Sequence, residues 1–230
     1  MISQFTVSVI IPTLNEETNL SRLLPQLQAL TPPLEIIVSD GGSVDNSTII
    51  AEKNGVLLCC EGRGRGAQLN AGADLATSDV LLFLHADSTL PVASYCGLLE
   101  SLAAQEELRG GAFRFSLEGT PGLWPRLYEF NVQLRCRLLN LPYGDQGFFI
   151  YRSNWQQGLQ FSDIPLMEDV EWWRRVNDTL KMCILPYPLI TSARRFQKRG
   201  YLVSAMRNLW MLTRYQCGVS PFKLVEEYSK

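Results

Sequence analysis

The sequence predicts an α/β fold: a mostly parallel sheet flanked by helices, followed by a C-terminal helical arm. Three observations lead there. Apolar runs unbroken by polar alternation, such as Val80-Leu81-Leu82-Phe83-Leu84, fit strands buried on both faces. Segments with helical spacing stand between such runs, so strand and helix alternate through the first half of the chain. Short polar clusters carrying aspartate or glycine follow the strands, at the rim where open α/β sheets gather their ligands.

Taken in order, Val7 to Ile11 is a first buried strand stopped by Pro12. Asn15-Glu16-Glu17 opens a helix with Leu20, Leu23, Leu24, Leu27 and Leu30 on one face, and Pro25 inside it is expected to kink or divide it. Leu34 to Val38 is a second strand, and the next helix, carrying Ile49, Ile50 and Lys53, closes at Asn54-Gly55. Val56 to Cys60 is a third strand, and Val80 to Leu84 the fourth. A helix from Val92 to about Ala104 precedes Gly110 to Glu118, whose alternation marks a half-exposed strand. After a break at Thr120-Pro121-Gly122, Leu123 to Leu139 reads as an amphipathic helix. Its Trp124, Leu127, Tyr128, Leu134 and Leu138 are expected to pack inward, the alternative being an acceptor- or membrane-facing surface. Phe148 to Tyr151 is another buried strand, Met167 to Arg175 a helix with an acidic first turn, and Met182 to Leu185 and Leu189 to Ser192 two short strands. A helix from Tyr201 to Gln216 ends the reading.

With 230 residues, 46% hydrophobic and a formal net charge of −2, the chain can bury one sizeable core and is not built to bind nucleic acid. Its six cysteines include no Cys-x-x-Cys pair, which fits reduced structural thiols. Neither a signal-peptide pattern nor a membrane-spanning apolar run is present. The expected setting is the cytoplasm, with peripheral contact at the cytoplasmic membrane face left open.

Several loops carry residues with two readings. Asp87, just past the fourth strand, can hold a hard divalent cation that holds a diphosphate, or can simply open the next helix with Ser88. Asp40, followed by two glycines, can accept the ring N–H of a uracil or guanine, or bond its own turn. Arg63 and Arg65, in a glycine-rich loop entering a helix, can cradle a diphosphate or stay solvated. One carboxylate of Glu168-Asp169-Val170-Glu171 can act as a general base, or all can serve the helix dipole. The basic run Arg194-Arg195-Phe196-Gln197-Lys198-Arg199 can fold over an anionic ligand or face solvent.

Together, seven short motifs resemble family 2 glycosyltransferases of the GT-A (Rossmann-like) fold over nearly the whole chain. They are Ile11-Pro12-Thr13-Leu14-Asn15-Glu16-Glu17, Val38-Ser39-Asp40-Gly41-Gly42-Ser43, Gly64-Arg65-Gly66-Ala67-Gln68-Leu69-Asn70, Leu84-His85-Ala86-Asp87-Ser88, Gly144-Asp145-Gln146-Gly147, Pro165-Leu166-Met167-Glu168-Asp169-Val170-Glu171 and Thr191-Ser192-Ala193-Arg194-Arg195-Phe196. Within the superfamily the chain is most similar to the branch described as radical-SAM/selenodomain-associated transferase 2. The resemblance implies a nucleoside-diphosphate sugar donor (UDP-linked is expected), Mn2+ or Mg2+, and inversion at the anomeric carbon. It divides the chain into a nucleotide-binding half (1–90), an acceptor half (91–192) and a basic loop with C-terminal helix (193–230).

Carried over by motif, the resemblance puts Pro12, Thr13 and Glu16 along the nucleotide, Asp40 on the base, Asp87 on the metal and Asp169 as catalytic base. His85, the only histidine, stands where the family's metal motif has its first aspartate, so its ligation is the less secure. Arg63, Arg65, Arg194 and Arg195 would hold the departing diphosphate, and Gly144, Asp145, Gln146 and Glu168 would lie near the donor sugar or acceptor. The acceptor, a small molecule or a lipid-linked one, is not named by the sequence. The Gln-x-x-Arg-Trp signature of processive synthases is absent, which implies transfer of a single sugar. Two alternatives are a nucleotidyltransferase making a nucleotide-sugar, and a silent sugar-nucleotide-binding protein docked at a membrane.

Overall fold

In the computed structural model, residues 5–62, 64–119 and 122–228 are described. Arg63 and the Thr120-Pro121 break lie outside them. Strand β1 (Val7–Thr13) is flanked by β2 (Glu35–Asp40) and β4 (Val80–Phe83), and β3 (Leu57–Cys59) adds to β2, all parallel. Helices α1 (Glu17–Gln28), α2 (Ser47–Lys53) and α3 (Arg65–Leu75) make the crossovers. Beyond β4 the sheet continues through β7 (Phe148–Tyr151), β6 (Gly110–Leu117), β8 (Met182–Thr191) and the two-residue β5 (Ser88–Thr89). Strand β7 is antiparallel to both its neighbours, whereas β6 and β8 run parallel.

The pleat divides β1 between two cores. Val7, Val9 and Ile11 join the leucines of α1 and Leu98 and Leu102 of α4 (Val92–Ala104) on one face. Ile10 joins Leu69 and Ala73 of α3 on the other, with Val170, Trp172, Trp173 and Val176 of α7 (Glu168–Asn177) in the same core. Gly72 lets α3 lie close on the sheet, since a Cβ there would stand 2.6 Å from the Ile10 side chain. A third, smaller core forms where α5 (Leu123–Leu139) and α8 (Arg194–Arg199) cover Phe115 and Leu117 of β6. Helices α9 (Tyr201–Gln216) and α10 (Pro221–Tyr228) form the expected C-terminal arm.

Five expectations need correction. Pro25 does not divide α1: it sits in the last turn, where buried Leu20, Leu23, Leu24 and Leu27 hold the helix against the sheet. Ser88 does not open a helix but pairs with Thr191. Met182 to Thr191 is one strand rather than two; Pro186 and Pro188 are tolerated because β5 covers its outer edge only at Ile190 and Thr191. Strand β6 is largely buried instead of half-exposed, with neighbours on both edges. Helix α5 has the expected bounds, but of its apolar residues Tyr128 is buried while Trp124, Leu127, Leu134 and Leu138 are exposed.

Candidate active site

The carboxyl ends of β1, β2 and β4 meet at one cavity of about 560 Å³, reached by Pro12 and Thr13, by Gly41 and by His85 to Asp87. The loops that shape it are fastened to each other. Asn15, in the left-handed region at φ 56°, accepts at Oδ1 from the Val44 amide at 2.9 Å, and its own amide donates to Ser43 Oγ at 2.8 Å. Ser47 Oγ accepts from the Glu16 amide at 2.9 Å, and Asp45 takes the Glu17 amide at 3.1 Å. The polar clusters after β1 and β2 therefore serve each other's backbones, which fixes Pro12, Thr13 and Glu16 at the cavity wall.

Asp40 is 3% exposed. Its Oδ2 accepts from the Gly42 and Ser43 amides, both at 2.8 Å, while Oδ1 is buried without a hydrogen-bond partner among the described residues. The turn reading therefore holds for one oxygen, and the other is left for a donor. Gln68 ties the same corner together by donating to the carbonyls of Thr13 and Ser39, at 2.7 and 2.9 Å.

Helix α3 starts from Gly64 at φ 96°. Its first residue, Arg65, lines the cavity and pairs with Glu168 at 2.9 Å. Glu168 is 2% exposed; burial raises its pKa and Arg65 partly offsets this. Asp87 accepts from Arg195 at 3.2 Å, bringing the basic run back over the sheet rim as anticipated, with Arg194 and Lys198 beside it. His85 lines the same cavity; burial first and Arg65 second lower its pKa to about 4, so the imidazole is neutral.

A second cavity of about 160 Å³ adjoins the first and shares Arg65, His85, Glu168 and Arg195 with it. Asp169 and Asp145 open on it from the sheet side, and Arg199, Arg207 and Asn208 from the helical arm. Asp169 Oδ2 accepts from the Gly144 amide at 2.8 Å and Oδ1 from the Val170 amide at 2.8 Å, so the carboxylate is oriented by backbone alone. Burial raises the Asp145 pKa to about 6, and its Oδ1 has no partner among the described residues. Gln146 lines neither cavity. It is 1% exposed, donates to the Phe113 carbonyl at 2.9 Å, and shapes the turn from behind. Gln68, Asn19, Leu166, Arg207 and Asn208 were not singled out by sequence reasoning. Gln68 lay inside a motif, but its role as a strut depends on burial that periodicity does not reveal.

A nucleotide-sized cavity at a parallel-sheet rim, next to a smaller pocket holding an oriented carboxylate, defines a group-transfer enzyme on an α/β scaffold. The profile of glycosyl transferase family 2 matches residues 8–158, and the chain belongs to that family. It is 24% identical over 181 residues to the low-salt glycan biosynthesis hexosyltransferase Agl6 of Haloferax volcanii, covering 71% of this chain and 44% of the relative. It is 37% identical over 97 residues to the undecaprenyl-phosphate 4-deoxy-4-formamido-L-arabinose transferase of Serratia proteamaculans, covering 37% of this chain and 30% of the relative. The chain therefore spans less than half the length of these relatives.

Among solved structures, glucosyl-3-phosphoglycerate synthase from Mycobacterium tuberculosis, in complex with Mn2+, UDP and glucosyl-3-phosphoglycerate, superposes with TM-score 0.58 at 20% identity. The match covers 80% of this chain and 71% of that one. S. aureus TarS 1–349 in complex with UDP-GlcNAc gives TM-score 0.65 at 17% identity, covering 81% and 58%. These likenesses show the shared GT-A fold.

Proposed function

We propose that this chain transfers one sugar, with inversion, from a UDP-sugar to an acceptor hydroxyl. The single observation that carries the reading is the place of Asp169. Its backbone-held carboxylate opens on a pocket that shares Arg65, His85, Leu166, Glu168 and Arg195 with the larger cavity. Nucleotide and diphosphate fill the larger cavity, the base against the free oxygen of Asp40 and the phosphates between Asp87, Arg65, Arg194 and Arg195. The acceptor enters from the smaller one. Asp169 takes the proton from the acceptor hydroxyl as that oxygen attacks the anomeric carbon opposite the leaving diphosphate, and no covalent enzyme intermediate forms. A UDP donor is supported by structural relatives crystallised with UDP or UDP-GlcNAc. The branch resemblance, and the donor, acceptor and arm portions at 1–90, 91–192 and 193–230, belong to the same reading.

A divalent cation fits the donor set at the cavity floor. No three His, Cys, Asp or Glu side chains cluster among the described residues. That suits a hard cation bound by one carboxylate, Asp87, and completed by diphosphate oxygens and water. His85, neutral through burial, offers a nitrogen that manganese accepts and magnesium uses poorly. When bound, the ion neutralises charge growing on the departing diphosphate. The acceptor pocket carries four arginines, Arg65 paired with Glu168 and Arg195, Arg199 and Arg207 beside it, which suits an acceptor with an anionic group, whether a small phosphorylated molecule or a lipid phosphate. The undecaprenyl-phosphate transferase relatives support the lipid-linked choice.

The test is UDP release from a panel of UDP-sugars in the presence of manganese, with and without a mixture of candidate acceptors. At least one donor should turn over, and Asp169→Asn should slow it by about 10²–10⁴-fold, the range for a positioned base. No turnover of any donor, or an unaffected Asp169→Asn, would remove the assignment.

A further inference from the structure

Two adjacent helices of the arm region each turn an apolar stripe outward. On α5 the stripe is Leu123, Leu127, Phe130, Leu134 and Leu138, spaced three or four apart and 39–70% exposed, opposite the buried Pro125, Tyr128 and Val132. On α9 it is Leu202, Val203, Met206, Leu209 and Trp210, 57–65% exposed, opposite the buried Ser204, Met211 and Leu212. Asn208 of α9 donates to the Tyr128 hydroxyl of α5 at 3.2 Å, so the helices are neighbours. Scattered apolar side chains are ordinary on a protein surface, but ten in two stripes on adjoining helices are not. No described helix is long and apolar enough to cross a membrane.

Charge decides what covers these stripes. Helices α5, α8 and α9 hold nine of the chain's 21 basic residues and one of its 23 acidic ones. That one, Glu129, is occupied by the Leu117 amide at 2.6 Å and the Ser116 hydroxyl. Of the basic residues, Arg194, Arg195, Lys198, Arg199 and Arg207 line the two cavities, and Arg126 and Arg137 stand exposed beside the α5 stripe. On α9 Arg214 stacks over the Trp210 ring, 5.7 Å from its centroid, and is paired with Glu227 of α10, so among the described residues the free positive charge beside the stripes is that of α5. A second copy of the chain would bring the same arginines against each other. We propose that α5 and α9 form a docking face for an anionic phospholipid bilayer, with the stripes in the acyl boundary and Arg126 and Arg137 among the headgroups. The opposite side of α9 lines the smaller cavity through Ser204, Arg207, Asn208 and Met211. Docking would hold that cavity next to the lipid surface, a consequence that rests on the proposed acceptor role.

Co-sedimentation of the full chain with phosphatidylglycerol–phosphatidylcholine vesicles tests the face directly. At low salt the partition coefficient should exceed that for pure phosphatidylcholine by at least tenfold, and it should fall as salt rises. The pair Met206→Asp and Trp210→Asp, both outside the cavities, should lower binding by at least tenfold. Melting temperature and the thermal shift on adding UDP with manganese should stay as in the parent. Parent protein left in the supernatant with the anionic vesicles, or a double variant that pellets as well as the parent, would overturn the docking face. So would a parent dimer that the double variant converts to monomer without any vesicle binding. Absence of the UDP shift would count against the proposed function alone, since vesicle binding does not depend on it.

Discussion

Arg65 and Glu168, 103 positions apart in sequence, meet in an ion pair of 2.9 Å that joins the start of α3 to the start of α7. The pair is lopsided: the Arg65 side chain is 46% exposed and that of Glu168 3%. Glu168 is thereby committed to holding two helices, and its neighbour Asp169, held by the Gly144 and Val170 amides, lines the smaller cavity with Asp145 and Glu168 itself.

The lopsidedness makes the two partners unequal on mutation. Glu168→Gln leaves a half-exposed guanidinium that water can solvate, so it should cost within about 1 kcal/mol. Arg65→Met leaves a buried carboxylate without its ion-pair partner and should cost about 3 kcal/mol at pH 8. The raised pKa of Glu168 fixes the pH dependence. Its native form takes up a proton at higher pH than the unfolded chain, so the Arg65→Met deficit should shrink as pH falls to 5. Urea denaturation at the two pH values measures this; equal deficits at both would contradict a buried, charge-sensitive Glu168.

Strand–helix alternation was enough to read the first four strands and the helices between them, because it depends on local pattern. Asp87, His85, Arg194 and Arg195 do line one cavity. What the pattern could not give was pairing across distance. Arg65 with Glu168 and Asp87 with Arg195 are products of the folded sheet rim. Helix α5 misled for a different reason. It is apolar on both sides, and spacing tells which residues share a face without telling which face meets the core.

Asp145 offers a second pH signature. Burial raises its pKa to about 6, above the ordinary aspartate value near 3.8. The metal-free native state therefore bears a cost for ionising it that is absent below about pH 4 and complete above about pH 6. Asp145→Asn should stabilise the metal-free protein at pH 8, by roughly 1–3 kcal/mol, and have little effect near pH 4. Thermal melts across that range would show it, and a stabilisation independent of pH would contradict a strained carboxylate.

The buried free oxygen of Asp40 predicts base recognition separable from phosphate recognition. Asp40→Asn should weaken uridine by about 10-fold or more, the worth of a hydrogen bond to a charged acceptor. Unchanged uridine affinity in isothermal titration would assign Asp40 to its turn alone.

Arg194 and Arg195 stand over the cavity, Arg195 touching Asp87 at 3.2 Å. Replacing both by alanine should weaken UDP by about 10-fold or more while leaving uridine within about 2-fold, because the lost contacts are charge-assisted bonds to phosphate. Equal loss for both ligands would place these arginines elsewhere in the mechanism.

The central claim, a donor diphosphate held through a cation at Asp87, is tested most directly by titrating UDP into the parent protein and into Asp87→Ala, each with manganese and with chelator. The parent should bind UDP at least tenfold more tightly with manganese, and Asp87→Ala should bind weakly and equally in both conditions. Tight UDP binding to Asp87→Ala that still depends on manganese, or no UDP binding by the parent in either condition, would contradict it.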